Sequence, residues 1–424
     1  MFGELYYMIK RIIAAFTVLA VLLFSAGCGG GKNGGKKEEI NMADFPLYVE
    51  DTSAIEYSEE AFNKKRSQPY WYGNVMYNEI ALPISYADGS AYAKLLYTPE
   101  RIISVMDQKL KTTYVEGADY TVDKVNKRLI IPESSSIELL GDKAEAGINV
   151  PIGYEYEIWN FDLGPFVSTE SGLFYDRYLS VTYAFDIAEI PTKNVFNKYD
   201  ENSLAAFREK AENGQDVSVA VIGDSISAGA SSTSVLKVEP YGPSYATQLK
   251  SEIERVYGVN VNLVNVAVGG TLSDWITSPA GAANLLRAKD AKPDLCVIAY
   301  GMNDSTGGVM AESFGENIQS AVNEIVASSP DCEFILVNSF PCNPRYNINP
   351  WTIENYPGAL NEVAEKYPSG KVKVVDMQKV GNYMIKSKRY CEISSSNVNH
   401  PNDFFHRVYA MNIMSAIYDY GICA

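Results

Sequence analysis

The pattern of hydrophobic and polar positions changes once along the chain, near residue 190. Before that point, short apolar or alternating runs are separated by turn residues, which is typical of β-strands. The predicted strands are Val75–Ile84, Ala91–Tyr97, Ile102–Met106, Tyr120–Val122, Arg128–Ile131, Tyr154–Trp159 and Tyr178–Phe185. Short strands at this spacing favour an all-β sandwich or jelly roll.

After residue 216, continuous apolar strands alternate with helical segments. The predicted strands are Val217–Ile222, Val261–Val268, Leu295–Tyr300, Phe334–Val337 and Val372–Val375. The predicted helices are Ser244–Tyr257, Ala283–Lys289, Glu316–Ala327, Ile353–Lys366 and Asp403–Tyr418. This alternation predicts an α/β fold with a parallel sheet covered on both faces. Because such sheets bind ligands outside the carboxyl ends of their strands, we expect the chemistry directly after the strands.

The chain begins with a targeting pattern. Lys10 and Arg11 precede the apolar run Ile12–Phe24, which is shorter than the ~20 residues that span a bilayer. The run ends before Cys28 and is similar to a bacterial lipoprotein signal, in which the cysteine carries the lipid (palmitate and related acyl chains). Ser25 stands where Leu is more usual, so an uncleaved anchor and ordinary secretory cleavage remain alternatives.

These patterns divide the 424 residues into five segments. They are a signal peptide (1–27), a flexible tether (28–44), a β-sandwich domain (45–190), a linker (191–215) and an α/β domain (216–424). We expect an exported protein held at a membrane surface by its lipid, with no other membrane span, because no later apolar run reaches ~18 residues.

The charge and the histidine count of the chain argue against some classes of function. A net charge of -16 argues against a nucleic-acid partner, because phosphate binding needs clustered Lys and Arg. Only His400 and His406 are present, so we expect no multi-histidine metal centre, and any histidine base is one of these two. No cofactor is expected.

The cysteines beyond Cys28 show neither CxxC nor Cys/His ligand spacing. Cys296 lies in an apolar strand, where a small core residue is the ordinary interpretation. A disulfide between Cys332 and Cys342 is one alternative for an exported protein, although the odd number of cysteines does not require it.

Four residues are candidates for a catalytic site at the edge of the sheet where a ligand is expected to bind. Ser225 and Gly270 follow the first and second strands, Asn303 follows the third, and His400 precedes the last helix. Each alone has an ordinary structural interpretation, as a turn or helix-capping residue. Together they supply what a serine nucleophile needs: a base that removes its proton and donors that hold an oxyanion.

The order Ser, Gly, Asn, His resembles that of the SGNH (GDSL-type) hydrolases, from about residue 217 to the C-terminus. The resemblance implies a flavodoxin-like three-layer fold and ester hydrolysis through an acyl-enzyme on Ser225, with His400 as base. It also implies an oxyanion hole from the N–H groups of Ser225 and Gly270 and the amide of Asn303. Asp224 and Trp275 are candidates for the substrate pocket. An ordinary α/β-hydrolase is excluded, because the serine lacks the second glycine of the nucleophile elbow.

The sequence departs from this family at Asn397, where members usually carry the aspartate that orients the histidine. We therefore predict a dyad of Ser225 and His400, oriented mainly by a neutral oxygen from Asn397 or a nearby backbone carbonyl. Glu392 and Asp403 are substitute carboxylates without the family's spacing. His406 is expected to be structural.

A β-rich domain ahead of an SGNH domain resembles the arrangement of bacterial carbohydrate acetylesterases. This implies removal of O-acetyl groups from a polysaccharide or oligosaccharide, with an acylated glycan and the membrane as partners. One alternative is a general short-chain esterase or lysophospholipase. Another is an inactive surface glycan-binding lipoprotein, which Asn397 favours. Acyl transfer to a second sugar instead of water also remains open.

Overall fold

The computed structural model describes residues 45, 47–155, 158–161, 164–170, 172–191, 194–346 and 349–421. The predicted signal peptide, the lipidation site Cys28 and the tether lie outside these ranges and stay predictions. Among the helices within these ranges, none is both long and apolar enough to cross a membrane. The described residues form one compact unit.

The N-terminal part of this unit is rich in β-strands. Its strands are β1 (Val75–Ala81), β2 (Ile84–Ser85), β3 (Ala91–Lys94), β4 (Arg101–Asp107), β5 (Thr121–Asp123), β6 (Arg128–Ile130), β7 (Leu140–Gly141), β8 (Ile158–Phe161), β9 (Gly164–Val167) and β10 (Leu179–Ala184). Its helices are α1 (Glu59–Lys65) and α2 (Gly172–Tyr175). The predicted runs overlap all of these strands except β7 and β9, which are too short or too rich in glycine and proline to show alternation.

These strands form a three-stranded antiparallel sheet in the order β1-β10-β4 and a five-stranded sheet in the order β5-β6-β3-β2-β7. Strands β8 and β9 form a separate antiparallel pair. Both larger sheets bury side chains in the same hydrophobic core, for example Val105 and Val181 from the first sheet and Ala93 and Leu129 from the second. We call residues 45–190 the β-rich region.

The C-terminal part alternates strands with helices, as predicted. Its strands are β11 (Val217–Gly223), β12 (Val261–Asn265), β13 (Leu295–Tyr300), β14 (Glu333–Asn338) and β15 (Val372–Asp376). Its helices are α3 (Ala205–Glu212), α4 (Ser225–Ala228), α5 (Thr233–Leu236), α6 (Tyr245–Tyr257), α7 (Ala282–Asp290), α8 (Met302–Gly307), α9 (Ala311–Ser328), α10 (Pro350–Ala364), α11 (Met377–Met384) and α12 (Asp403–Ile417). Short 3₁₀ turns connect several of them.

The five strands of this part form one parallel sheet in the order β12-β11-β13-β14-β15. This is the 2-1-3-4-5 order of flavodoxin-like doubly wound folds, so the predicted fold class is confirmed. Successive side chains of β11 enter different cores, with Val219 and Val221 on one face and Ala220 and Ile222 on the other. Burial on both faces explains why these strands are continuous apolar runs.

The last helix, α12, joins the two parts of the molecule. Every residue from Phe404 to Ile417 is buried. A helix buried on all sides must be covered by more than one layer. Helix α12 contacts α6 and β15 of the α/β part and β1 of the β-rich region. The two parts therefore share a hydrophobic core.

A buried ion-pair cluster lies at the junction between the β-rich region and the α/β part. Lys388 lies 2.6 Å from a carboxylate oxygen of Glu79 on β1 and 3.2 Å from one of Glu392. These three side chains are at most 2% exposed. Although burial disfavours its charge, the Glu392 and Glu79 carboxylates raise the pKa of Lys388 above its ordinary value.

The disulfide considered between Cys332 and Cys342 is not formed. Cys296, Cys332, Cys342 and Cys391 are free, buried thiols. Cys332 precedes β14 and Cys342 follows it, and a strand of this length separates its ends by roughly 20 Å. This is far beyond the Cα separation that a disulfide bridges.

Candidate active site

The turn after β11 presents Ser225 at the carboxyl end of the parallel sheet. Asp224 caps the following short helix, accepting a hydrogen bond from the Ile226 N–H at 2.9 Å. Gly223 is required here because a Cβ at this position would lie 2.5 Å from the Ala299 carbonyl oxygen of the neighbouring strand. The turn is thus tight, and it leaves Ser225 only 8% exposed.

His400 lies against this serine. Its Nε2 is 2.9 Å from the Ser225 Oγ, although the two residues are 175 positions apart. The loop that carries the histidine is shaped by Ser396, whose hydroxyl accepts a hydrogen bond from the His400 N–H at 3.1 Å. Asn402 then caps α12 by accepting from the Phe405 N–H at 3.0 Å. The histidine is therefore fixed between a hydrogen-bonded loop and a capped helix.

The other nitrogen of the ring contacts a residue that the sequence did not indicate. His400 Nδ1 lies 2.6 Å from Oε1 of Glu170, which follows β9 in the β-rich region. The second carboxylate oxygen of Glu170 accepts a hydrogen bond from the Ser231 hydroxyl. The His400 and Glu170 side chains are 22% and 46% exposed. The contact joins the two parts of the molecule at the site itself.

The prediction that Asn397 orients the histidine is corrected by this contact. The Asn397 side chain is buried, and its NH₂ donates to the carbonyl oxygens of Val167 at 2.9 Å and Glu145 at 3.4 Å. Its amide oxygen accepts from Asn343 at 3.2 Å. The amide is thus engaged with the β-rich region and the loop after β14, while a carboxylate takes the place next to His400.

The two substitute carboxylates also have other partners. Glu392 pairs with Lys388. Asp403 accepts hydrogen bonds from the N–H and hydroxyl of Thr233 at 2.8 and 2.6 Å. Burial raises the pKa of Asp403 to about 6. Both carboxylates are thus engaged with partners other than His400.

The predicted oxyanion donors come from the next two strand ends. Gly270 is exposed with φ +78°, a left-handed conformation that favours glycine. A Cβ on the preceding Gly269 would lie 3.5 Å from the Cβ of Ser225, so this turn passes directly beside the serine. Half-buried Asn303, in the first turn of α8, donates one amide hydrogen to the Thr271 carbonyl at 2.9 Å. That bond ties the asparagine to the glycine turn and uses one of its two N–H groups.

The two candidates for the substrate pocket differ in their exposure. Asp224 is 1% exposed, and its Oδ2 has no hydrogen-bond partner among the described residues. It lines an interior void of about 10 Å³, and burial raises its pKa to about 7. Trp275 is partly buried and packs against the hydrophobic core that contains Ala220 and Ile222. The pocket assignment of Asp224 is therefore corrected, because the tight turn after β11 directs its side chain inward.

His406 is fully buried and has backbone partners. Its Nε2 donates to the Ala230 carbonyl at 3.0 Å, and its Nδ1 accepts from the Tyr245 N–H at 3.3 Å. Burial lowers the pKa of His406 to about 4. These contacts keep the ring neutral and give it a structural environment unlike that of His400.

A cavity of about 300 Å³ is lined by Asp403 and Arg407 among other residues, and neither Ser225 nor His400 lines it. Among the described residues, no group of three or more His, Cys, Asp or Glu side chains is placed to hold a metal ion.

The part of the chain that carries these four motifs matches a known family. Residues 221–408 match the model of the GDSL-like lipase/acylhydrolase family. This C-terminal domain belongs to that family. The GDSL-like domain contains Ser225, Gly270, Asn303 and His400, and it is an SGNH-type acylhydrolase domain. Glu170 lies outside the matched segment.

Solved structures similar to this chain include esterases. A two-domain esterase (CEX) active on acetylated mannans is 23% identical, with 53% of this chain and 56% of that chain covered and a TM-score of 0.42. An acetyl xylan esterase, AlAXEase, is 18% identical, with 48% and 100% covered and a TM-score of 0.36. The match spans little more than half of the two-domain esterase. No curated protein matches the chain.

Proposed function

We propose that this protein is a serine esterase that removes O-acetyl groups from a polysaccharide or oligosaccharide. The observation that carries the proposal is the 2.9 Å contact between Ser225 Oγ and His400 Nε2. A serine hydroxyl becomes a nucleophile when a base within hydrogen-bond reach takes its proton. This pair has that geometry at the strand ends where doubly wound folds bind ligands.

In the proposed reaction, His400 Nε2 takes the Ser225 proton while Oγ bonds to the acyl carbon. The oxyanion accepts hydrogen bonds from the N–H groups of Ser225 and Gly270 and from the free amide hydrogen of Asn303. Collapse breaks the bond to the sugar oxygen, which takes the proton from His400. Water then attacks the acyl-enzyme with the same base, releasing acetate and restoring the serine.

The glycan substrate is supported by the resemblance of this domain arrangement to carbohydrate acetylesterases. The competing proposal is a general short-chain esterase or lysophospholipase, which would use the same residues on another leaving group. An inactive glycan-binding protein is disfavoured, because the serine and histidine retain a direct contact.

The test is acetate release from a panel of acetylated xylan, mannan and peptidoglycan, with a lysophospholipid as the lipid substrate. We expect release from at least one glycan, and a fall in kcat of ~10³-fold or more in Ser225→Ala and in His400→Ala. His406→Gln, which changes the structural histidine, is the matched control for folding. Glycan turnover that does not depend on Ser225 would contradict the proposal, and turnover of the lysophospholipid alone would favour its competitor.

We also propose that the protein is exported and anchored by a lipid on Cys28. The tether after this cysteine would hold the catalytic domain off the membrane surface. Metabolic labelling with a fatty-acid analogue should mark the wild-type chain but not Cys28→Ala. Label retained in that variant would contradict the anchor.

A further inference from the structure

We infer that Glu170 is the carboxylate that positions His400, so that the β-rich region completes the active site. The inference rests on the proposed esterase reaction, and it deepens it by assigning a residue from outside the matched domain. Glu170 acts through the histidine and is a positioning residue.

The contact with Glu170 decides which imidazole nitrogen of His400 carries the proton. An ionised carboxylate can only accept hydrogen bonds, so the 2.6 Å contact with Glu170 places the ring proton on Nδ1. The lone pair of a neutral ring is then on Nε2, which faces the Ser225 hydroxyl at 2.9 Å. Glu170 therefore selects the tautomer that can remove the serine proton.

The Glu170 carboxylate is itself held in place. The Ser231 hydroxyl, just after α4, donates to its second oxygen. The Glu170 carboxylate thus bridges the segment that follows Ser225 and the loop that carries His400. Because both ends of the bridge belong to the GDSL-like domain, Glu170 closes a ring of contacts around the nucleophile.

The segment that carries Glu170 is hydrogen-bonded to the loop that leads to His400. The Thr169 N–H donates to the Ser396 carbonyl at 3.2 Å, and the Asn397 amide donates to the Val167 carbonyl at 2.9 Å. Residues 167–170 therefore run beside the loop that leads to His400. A carboxylate at position 397 could not donate to the Val167 carbonyl, whereas an amide can. Asn397 thus holds the segment that brings a carboxylate from elsewhere in the chain.

Buried contacts hold the junction between the β-rich region and the GDSL-like domain. The β-rich region shares its core with α12, the helix that follows His400. The buried contact between Lys388 and Glu79 also crosses this junction. Positioning of a catalytic histidine requires fixed supporting groups, and these contacts supply them.

The kinetic test compares Glu170→Gln with Glu145→Gln. Glutamine can offer its NH₂ to Nδ1 and favour the wrong tautomer, so we expect kcat to fall by ~10²–10⁴-fold in Glu170→Gln with little change in KM. The control Glu145 also lies in the β-rich region and pairs with Arg389 across the junction at 2.8 Å. Its variant removes a junction contact without touching His400 and should keep kcat near wild type.

The spectroscopic test reads the tautomer directly. The chain has only two histidines, so ¹⁵N-imidazole NMR spectra contain two ring systems. In the wild type, His400 should carry its proton on Nδ1 and His406 on Nε2. In Glu170→Gln the His400 pattern should change while the His406 pattern stays the same. A purely structural role of Glu170 would not produce this selective change.

Chemical rescue gives a third readout. The Glu170 side chain is partly exposed, so formate should enter the space left in Glu170→Ala and restore part of kcat. Formate should not rescue His400→Ala. Wild-type kcat in Glu170→Gln, or an unchanged His400 tautomer in that variant, would overturn the inference. If Ser225→Ala and His400→Ala kept wild-type activity, the esterase proposal itself would fail, and the tautomer measurement would still decide the role of Glu170.

Discussion

The candidate site has two halves that are encoded in different ways. One half belongs to the GDSL-like domain, where Ser225, Gly270 and Asn303 each follow a parallel strand and His400 precedes the last helix. The other half is Glu170, which follows the short strand β9 of the β-rich region. The first half has a motif at every position, and the second has none.

The difference shows what a strand-end motif can and cannot specify. The carboxyl ends of parallel strands meet at one edge, so residues that follow them are brought together by the sheet. Glu170 reaches the same place only because the two parts share a core and a buried ion-pair cluster. The contact between Glu170 and His400 spans 230 positions of sequence and depends on that docking.

The largest expected effect is a loss of stability on breaking the ion-pair cluster that joins the two parts of the molecule. Lys388→Met leaves Glu79 and Glu392 as buried carboxylates without their cation, which should lower the free energy of unfolding by ~3–5 kcal/mol. Urea unfolding measures this loss of stability. The control is Lys379→Met, which removes a partly exposed pair with Asp376 and should cost less than ~1 kcal/mol. Equal losses in the two variants would show that the cluster does not stabilise the junction.

The motif half should respond to loss of an oxyanion donor. Asn303→Ala should lower kcat by ~10²–10³-fold, because its free amide hydrogen is proposed to stabilise the oxyanion. The bond to Thr271 is also lost, so thermal unfolding should accompany the kinetics. Thr271→Val, which keeps the backbone carbonyl that accepts this bond, is the control. An unchanged kcat in Asn303→Ala would remove this residue from the site.

The pH dependence of stability should reveal the buried neighbour of the nucleophile. Burial raises the pKa of Asp224 to about 7, so the folded state keeps a proton that the unfolded state releases above about 4. The stability that Asp224 contributes is thus present below pH ~4 and is lost as the pH rises to ~7.

Asp224→Asn does not titrate at this position and can still accept from the Ile226 N–H. The stability of the wild type relative to this variant should therefore fall with rising pH, by up to ~1.4 kcal/mol per unit. The free energy of unfolding of both proteins, measured at several pH values, gives the slope of this difference against pH. A flat difference for Asp224→Asn would show that this carboxyl is ionised in the folded state.

The smallest expected effect is a fall in kcat on replacing Asn397, whose amide binds the segment that carries Glu170. Asn397 has φ +58°, so Asn397→Gly removes the amide while keeping a backbone conformation that glycine tolerates. We expect kcat to fall about tenfold or less, because the segment carrying Glu170 loses its hydrogen bond from the Asn397 amide and keeps the one between the Thr169 N–H and the Ser396 carbonyl. A loss as large as that of His400→Ala would instead place Asn397 in direct contact with the reacting groups.

Much of the fold was predictable because local patterns and tertiary structure agree. The strand Leu295–Tyr300 was predicted with its observed bounds, since burial on both faces makes it apolar throughout. The helix predicted from residue 403 begins there, where Asn402 caps it. By contrast, β9 contains glycine and proline and shows no alternation, so the segment that leads to Glu170 gave no sequence signal. The one indication was negative, namely the missing aspartate at position 397.

The sequence by itself determined the alternation of strands and helices, the family of the GDSL-like domain and the placement of Ser225 and His400 at one sheet edge. These follow from hydrophobic periodicity and from motifs a few residues long. Only the tertiary structure decided which carboxylate faces His400 and that Asp224 points inward. A hydrogen bond between residues 230 positions apart depends on how two cores dock, and no local pattern encodes that distance.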